Sequence, residues 1–315
     1  MSKILKKLLS PVLPLCLLVC LSACGGTQTA EPSSTPAPSE SPEYKAPELE
    51  GKTVSKDGVL GEYVVNFVGA EKVTDKNGSP AILVYYDFTN NSSKNVSAFS
   101  VIELSAFQNG STLHTAVSDE GFPYEGNSGL MLRPGAALRC CALYEYSPEA
   151  GLVSALACNW AKDKSTVSYA LFPEDKLFGE ESEFLLTPRQ NDDYSDKFAS
   201  EAAMGDYYVS IGEAEFFTDS GSPCVRIYIK YTNRSSGSAA FSGSIMAYAY
   251  QDDVQLGNFS SSSPSSTDEN IWADLQPGES IDLSLTYALR TESPLELELQ
   301  ASAGSGIVGK QFSCQ

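Results

Sequence analysis

His114 is the only histidine in the chain and the first residue to weigh for chemistry. It sits in Ser111-Thr112-Leu113-His114-Thr115, directly after a turn, with no serine and aspartate set to complete a charge-relay triad. It reads as a surface or edge-strand residue. Carboxylates are plentiful, with 40 Asp and Glu against 21 Lys and Arg and a net charge of −19. A glycosidase needs two carboxyls about 5–9.5 Å apart, and no pair here is singled out by spacing. The stretch Gly304-Ser305-Gly306-Ile307-Val308-Gly309-Lys310 matches both G-x-G-x-x-G and G-x-x-x-x-G-K. Both patterns hold phosphates at the start of a following helix. Only Gln311 to Gln315 follow, and Gln311 stands where a P-loop carries Ser or Thr. A loop between the last two strands is expected instead. No catalytic residue emerges, and an enzyme is not expected.

Oxygen-rich loops offer a second chemistry. Asp75-Lys76-Asn77-Gly78 and Asp252-Asp253 could supply ligands for weak calcium binding. Asp-x-Asn-Gly is also a good turn sequence, and turn chemistry is the preferred reading, with no metal site and no other cofactor expected. Five cysteines follow Cys24: Cys140, Cys141, Cys158, Cys224 and Cys314. If residues 148–150 form a turn, Cys140 and Cys158 face one core from neighbouring strands, within reach of a disulfide. Buried free thiols are the preferred alternative. Cys224 and Cys314 are a second candidate pair. Trp160, Trp272 and the 16 tyrosines could furnish a sugar-stacking face, although most of these aromatics should be core or edge residues.

The start of the chain is an address. Lys3, Lys6 and Lys7 precede the apolar run Leu8 to Leu21. As a helix that run would span about 21 Å, short of the roughly 30 Å hydrocarbon core, so residues 1–23 read as a cleaved signal peptide. Its end, Leu21-Ser22-Ala23-Cys24, resembles the lipobox of bacterial lipoproteins. That resemblance implies cleavage between Ala23 and Cys24 and a diacylglyceryl group on the Cys24 thiol. Two acyl chains suffice for stable membrane anchoring. Residues 24–50 follow as a disordered tether with Pro32, Pro36, Pro38, Pro42 and Pro47 among Ser, Thr and Glu. Extended, it would reach up to roughly 80 Å.

Such signals need folded domains behind them. Gly61-Glu62-Tyr63-Val64-Val65 recurs as Gly205-Asp206-Tyr207-Tyr208-Val209. Phe88-Thr89-Asn90 recurs as Tyr231-Thr232-Asn233, Ala106-Phe107-Gln108 as Ala249-Tyr250-Gln251, and Leu132-Arg133-Pro134-Gly135 as Leu275-Gln276-Pro277-Gly278. The near-constant offset of about 143 residues marks a tandem repeat. Ile82, Val84, Tyr86 and Phe88 alternate along one strand, as do Val225, Ile227, Ile229 and Tyr231. Leu138, Cys140, Ala142 and Tyr144 match Ile281, Leu283, Leu285 and Tyr287 on another. Turn sequences separate the strands, and no helical period competes. The pattern predicts an antiparallel β-sandwich over residues 51–172 and a divergent second one over 205–315. An acidic connector is expected over 173–204. The negative balance argues against nucleic-acid partners.

The repeated unit resembles an uncharacterised domain family of Gram-positive lipoproteins. That family is similar to the immunoglobulin-like sandwich of a mycobacterial secreted antigen. The resemblance rests on Gly61-Glu62-Tyr63, Asp75-Lys76-Asn77-Gly78, Tyr86-Asp87-Phe88-Thr89-Asn90, Ala106-Phe107-Gln108-Asn109-Gly110 and Pro134-Gly135. It is looser in the second copy, where Asp252-Asp253 replaces Asn109-Gly110. It implies an all-β chain with two tandem immunoglobulin-like sandwiches and an envelope location, and it transfers no catalytic residues. The expected protein is a cell-membrane lipoprotein facing outward. It would act without catalysis as a binding, adhesion or sensing module for a protein or glycan ligand. The alternatives are an inhibitor or accessory of an envelope hydrolase, or a structural spacer.

Overall fold

In the computed structural model residues 47–119, 121–149, 151–172, 198–303 and 306–314 are described. The signal peptide, Ala23, Cys24, most of the tether and connector residues 173–197 lie outside them. Among the described residues no helix is long and apolar enough to cross a membrane.

Strands dominate because apolar and polar residues alternate with period two between turn sequences. The first copy contains β1 (Thr53–Val54), β2 (Val59–Leu60), β3 (Tyr63–Thr74), β4 (Pro80–Asn90), β5 (Ile102–Gln108), β6 (Ser111–Thr112), β7 (Ala137–Glu145), β8 (Val153–Asn159) and β9 (Asp163–Phe172). They form one sheet in the order β2-β3-β4-β7 and a facing one in the order β1-β9-β8-β5-β6. All pairs are antiparallel except β1 with β9. The second copy contains β10 (Glu201–Met204), β11 (Tyr207–Asp219), β12 (Ser222–Asn233), β13 (Ile245–Gln251), β14 (Val254–Gln255), β15 (Ser280–Ala288), β16 (Leu295–Ala301) and β17 (Ile307–Phe312). Its sheets, β10-β11-β12-β15 and β14-β13-β16-β17, repeat the first topology without the added β1. Even the register break recurs, between Phe67 and Gly69 in one copy and between Ile211 and Ala214 in the other. The chain is therefore all-β, with two tandem sandwiches.

The predicted interior faces are the observed ones. Ile82, Val84, Tyr86 and Phe88 are buried, as are Val225, Ile227, Ile229 and Tyr231. Each large apolar side chain enclosed this way contributes about 1.5–3 kcal/mol of transfer free energy. The repeated polar residues are buried too. Asn90 Nδ2 donates to the carbonyls of Lys94 and Leu132 at 2.7 and 2.9 Å. Asn233 repeats this with Gly237 and Leu275 at the same two distances. Gln108 ties β5 to the β7–β8 loop through Ser147 and Gly151, and Gln251 does the same through Thr291 and Ser293. Much of the recurring motif is thus a set of side-chain staples to loop and strand-end carbonyls.

Two boundaries differ from expectation, as does the facing of Cys140 and Cys158, whose free thiols are the preferred reading. Pro47–Leu49, assigned to the tether, is a 3₁₀ turn. Leu49 covers an apolar patch of Leu156, Cys158 and Val167 on the outer face of the β8–β9 sheet. Glu201–Met204, assigned to the connector, pairs with β11 and begins the second sandwich. Cys140 and Cys158 do not face each other, and both are free thiols. Cys140 lies in β7 among core residues such as Phe88 and Leu138, whereas β8 belongs to the opposite sheet and turns Cys158 outward. The segment after β7 crosses between sheets instead of closing a hairpin. Alternation gives the side on which a residue lies, but not the sheet. Cys224 and Cys314 are likewise free.

The two sandwiches meet through the β13–β14 hairpin. Leu132 bridges Val254, and Val254 is buried in the first copy's core cluster. Arg133 N donates to Asp253 O at 3.0 Å, and Gln255 N to Met131 O at 2.9 Å. The Arg133 guanidinium contacts Asp253 at 3.3 Å, Glu298 at 2.5 Å and Glu296, and lies 4.0 Å from the Tyr250 ring centroid. These three carboxylates are all nearly buried. Asp252 and Asp253 both have positive φ, 51° and 63°, the two-residue hairpin conformation that Asn-Gly adopts most readily. The departure from the repeat at this turn therefore brings a carboxylate to Arg133.

Candidate functional site

Most residues with chemistry in the sequence turn out to be structural. His114 is exposed, and its carbonyl accepts from Glu145 N at 2.8 Å. Asp75 Oδ1 accepts from Asn77 N and Ser79 N, both at 2.8 Å, which is the expected turn. These bonds hold its pKa below the usual carboxylate range, Ser79 contributing most. Asp253 is engaged by Arg133. Among the described residues no group of three or more His, Cys, Asp or Glu is placed to hold a metal ion. Ile307 to Phe312 form a strand, so no helix follows the glycine stretch to hold a phosphate. Burial pushes the thiols of Cys140 and Cys141 up to about 12, far from nucleophilic.

One place remains built but unfilled, beside β15. This strand is the edge of its sheet, and its outward residues Ser284 and Thr286 alternate with inward Leu283, Leu285 and Tyr287. The loop of residues 256–274 folds along that edge. It is serine-rich because its turns are tied to buried acids. Asp219, at the end of β11, accepts from Ser261 Oγ and Ser262 N, both at 2.6 Å, and from Ser262 Oγ. The side-chain bonds from Ser261 and Ser262 hold its pKa down at about 2. Asp268 accepts from Ser265 N at 2.8 Å and from Ser284 Oγ, with Arg226 Nε 3.4 Å away. Arg226 also donates to Ser263 O at 2.7 Å.

Between this loop and the strand lies a groove of 520 Å³ whose walls include Asn258, Ser260, Ser284, Thr286 and Tyr287. Trp272 stands at it with 71 % of its surface exposed, at the end of the 3₁₀ turn Asp268–Trp272. The hydroxyls of Tyr287 and Thr286 are buried and have no hydrogen-bond partner among the described residues. Such groups cost about 1–3 kcal/mol each when left unpaired. Burial raises the Tyr287 phenol well above its ordinary range, so it is neutral and able to donate. The groove offers an aromatic plate, hydroxyls and an amide, with no histidine or thiol. Its Asp268 is already committed to Arg226 and Ser284. This is equipment for binding a polar, ring-bearing ligand.

Sequence reasoning named Trp272 and Tyr287 without bringing them together, and it missed Asp219, Arg133 and Asp253 as organising residues. For Arg133 and Asp253 the signal was present as a difference between copies, whereas Asp219 recurs as Asp75 and differs only in its partners. Trp272 aligns with Gly129, and Arg133 with Gln276. Trp160, the other tryptophan, is half exposed at the far end of β8 and donates Nε1–H to Ser100 O at 2.9 Å.

A family model described as "Domain of unknown function (DUF5067)" matches the chain twice, over residues 38–148 and 187–301. No curated protein matches. Among solved structures the chain is similar to a protein described as a candidate lipoprotein of Staphylococcus aureus. The identity is 14% and the TM-score 0.30, over 36% of this chain and 92% of that one. It is also similar to red sea bream transglutaminase, at 11% identity and a TM-score of 0.21, over 81% of this chain and 31% of that one. Likenesses at these scores carry no functional weight.

Proposed function

The chain belongs to the family described as Domain of unknown function (DUF5067), which it carries in two copies, and from that premise we propose that it is a lipid-anchored, extracytoplasmic binding module without catalytic activity. Cys24 takes the diacylglyceryl anchor, residues 25–46 space the folded part from the membrane, and the second sandwich holds a protein or glycan ligand. The observation that carries this reading is the β15 groove, with exposed Trp272 beside a wall that includes Asn258, Ser260 and Thr286. The Leu21-Ser22-Ala23-Cys24 motif supports the anchor.

Two measurements test it. Expressed in a Gram-positive host, the full chain should fractionate with membranes and its Cys24→Ser variant with the medium. Equal partitioning of the two would remove the anchor. The full chain in detergent should also unfold a few degrees higher with solubilised cell-envelope material, because a ligand at 100 times its Kd adds about 2.7 kcal/mol to the native state. An unchanged midpoint, together with no retention of the chain on envelope fragments, would remove the binding role.

A further inference from the structure

The groove beside β15 does not end at Tyr287. A second hollow, of 440 Å³, shares Asn258 and Phe259 with it and continues past Ala288 to Arg290. Glu125, Asn127 and Leu130 of the first sandwich form its other wall. Together the two make one trough. From Ser284 to Arg290 it runs for about 20 Å, at roughly 3.3 Å per residue of strand.

Its two ends differ in chemistry. At one end stands the exposed indole of Trp272. At the other stands Arg290, which has no carboxylate within ion-pair distance among the described residues. Arg133, Arg139 and Arg226 contact carboxylates, whereas Arg234 lies over the Tyr208 ring. Arg290 is exposed at the trough, and partial desolvation lowers its pKa, with the Cys140 thiol opposing. Glu125, on the facing wall, accepts from the backbone N–H of Phe122 at 3.1 Å. Arg290 is also particular to this copy, since Ser147 holds the aligned position in the first.

Resting on the binding-module reading, we infer that this trough receives an extended glycan strand carrying carboxylate groups: a sugar ring stacks on Trp272, ring hydroxyls pair with the exposed Asn258 amide and Ser260 hydroxyl, and a carboxylate meets Arg290. A peptide adding as a β-strand is a poorer occupant, because the edge of β15 is already occupied. Phe259 N donates to Thr286 O and Ser284 N to Thr267 O, both at 3.2 Å. The walls are hydroxyl and amide groups, suited to a polyol. Aromatic stacking tolerates many ring substituents, whereas a guanidinium pairs specifically with planar, bidentate carboxylate.

The test is titration calorimetry of the full chain in detergent with tetragalacturonate, with neutral chitotetraose, and with soluble peptidoglycan glycan strands. The first two separate carboxylate from ring recognition. The third asks whether muramic carboxylates serve as well as uronic ones. Tetragalacturonate is expected to bind at least tenfold more tightly than chitotetraose. Arg290→Gln should abolish that preference while leaving the neutral affinity within twofold, Arg290→Lys should restore part of it, and Trp272→Ala should weaken both by about tenfold. Equal affinity for both oligosaccharides, or a preference unchanged in Arg290→Gln, would overturn the assignment. Unchanged melting of the Arg290 variants excludes misfolding as the cause. If no glycan binds while the chain is still retained by envelope fragments, the glycan assignment falls and the binding-module reading stands.

Discussion

At the scale of single residues, the recurring polar positions are explained by the backbone. Asn90 and Asn233 are fully buried, each donating to two carbonyls and accepting from the N–H two residues on. An apolar replacement would remove one of the two donors to each carbonyl and leave the N–H of Ser92 or Ser235 without its acceptor. Asn90→Ala is therefore expected to lower the stability of the first sandwich by about 2–4 kcal/mol, read as a fall in urea midpoint. Asn90→Asp should do equal or greater damage, since it replaces the donor with a second acceptor and buries a charge. A loss below about 0.5 kcal/mol for Asn90→Ala would show that the surrounding turn, and not this side chain, holds the chain there. These residues were visible as a motif because they recur with constant spacing. Their role was not, because an asparagine after a strand reads equally well as a solvated turn. Only the positions of Leu132 and Leu275, 42 residues downstream, distinguish the two.

At the scale of elements, alternation made the strands legible and left their assignment to sheets open. Ile82, Val84, Tyr86 and Phe88 are buried as their spacing demands, but the same alternation placed Cys140 and Cys158 in one core when they lie in opposing sheets. The loop beside β15 was less legible still, since a run of serines carries no period. Its order comes from Asp219, buried at the end of β11 and bonded to Ser220, Ser261 and Ser262. A carboxylate stabilised in this way has a folded pKa of about 2, below the roughly 3.9 of an unfolded aspartate. Its contribution to stability is therefore complete above about pH 4 and is lost as pH falls towards 2. The stability difference between the wild type and Asp219→Asn should be constant from pH 7 to about 4 and shrink between about 4 and 2. Trp272, on the same loop and already largely exposed, should report the loosening as a fall in fluorescence anisotropy in a Trp160→Phe background. A difference independent of pH down to 2 would mean that Asp219 is not the loop's anchor. A related exchange lies across β4 and β7, where Asp87 faces Arg139 at 2.8 Å while the aligned residues of the second copy are Lys230 opposite Asp282. The cross-strand charge pair is kept with its sign reversed.

At the scale of the whole molecule, the two sandwiches are joined where the copies diverge. Arg133 aligns with Gln276, and Asp253 with Gly110, so each copy lacks the group its counterpart uses at the junction. A loop and a hairpin that are ordinary turns in one copy become halves of an interface in the other. This was unreadable from one sequence, because divergence between repeats looks the same whether it is drift or complementarity until the two residues are seen in contact. Once a guanidinium with only 11 % of its side chain exposed sits among three carboxylates, removing it leaves buried acids without that partner, a change that costs about 3–5 kcal/mol in comparable sites. In Arg133→Ala the cost should fall on the junction, because Arg133 projects into neither hydrophobic core. Calorimetry of the wild type should show one cooperative transition for the two sandwiches, and Arg133→Ala should split it into two. Arg133→Lys should be intermediate, since it keeps the charge but loses the fork that reaches Glu296 and Glu298 together. A single unsplit transition in Arg133→Ala would assign the coupling to Val254 and the backbone bridge with Leu132 instead, and Val254→Asp would then be the change that separates the sandwiches. The trough that ends at Arg290 has a wall from each sandwich. The same splitting should therefore be accompanied by weaker binding of tetragalacturonate, although Arg133 lines neither hollow of the trough.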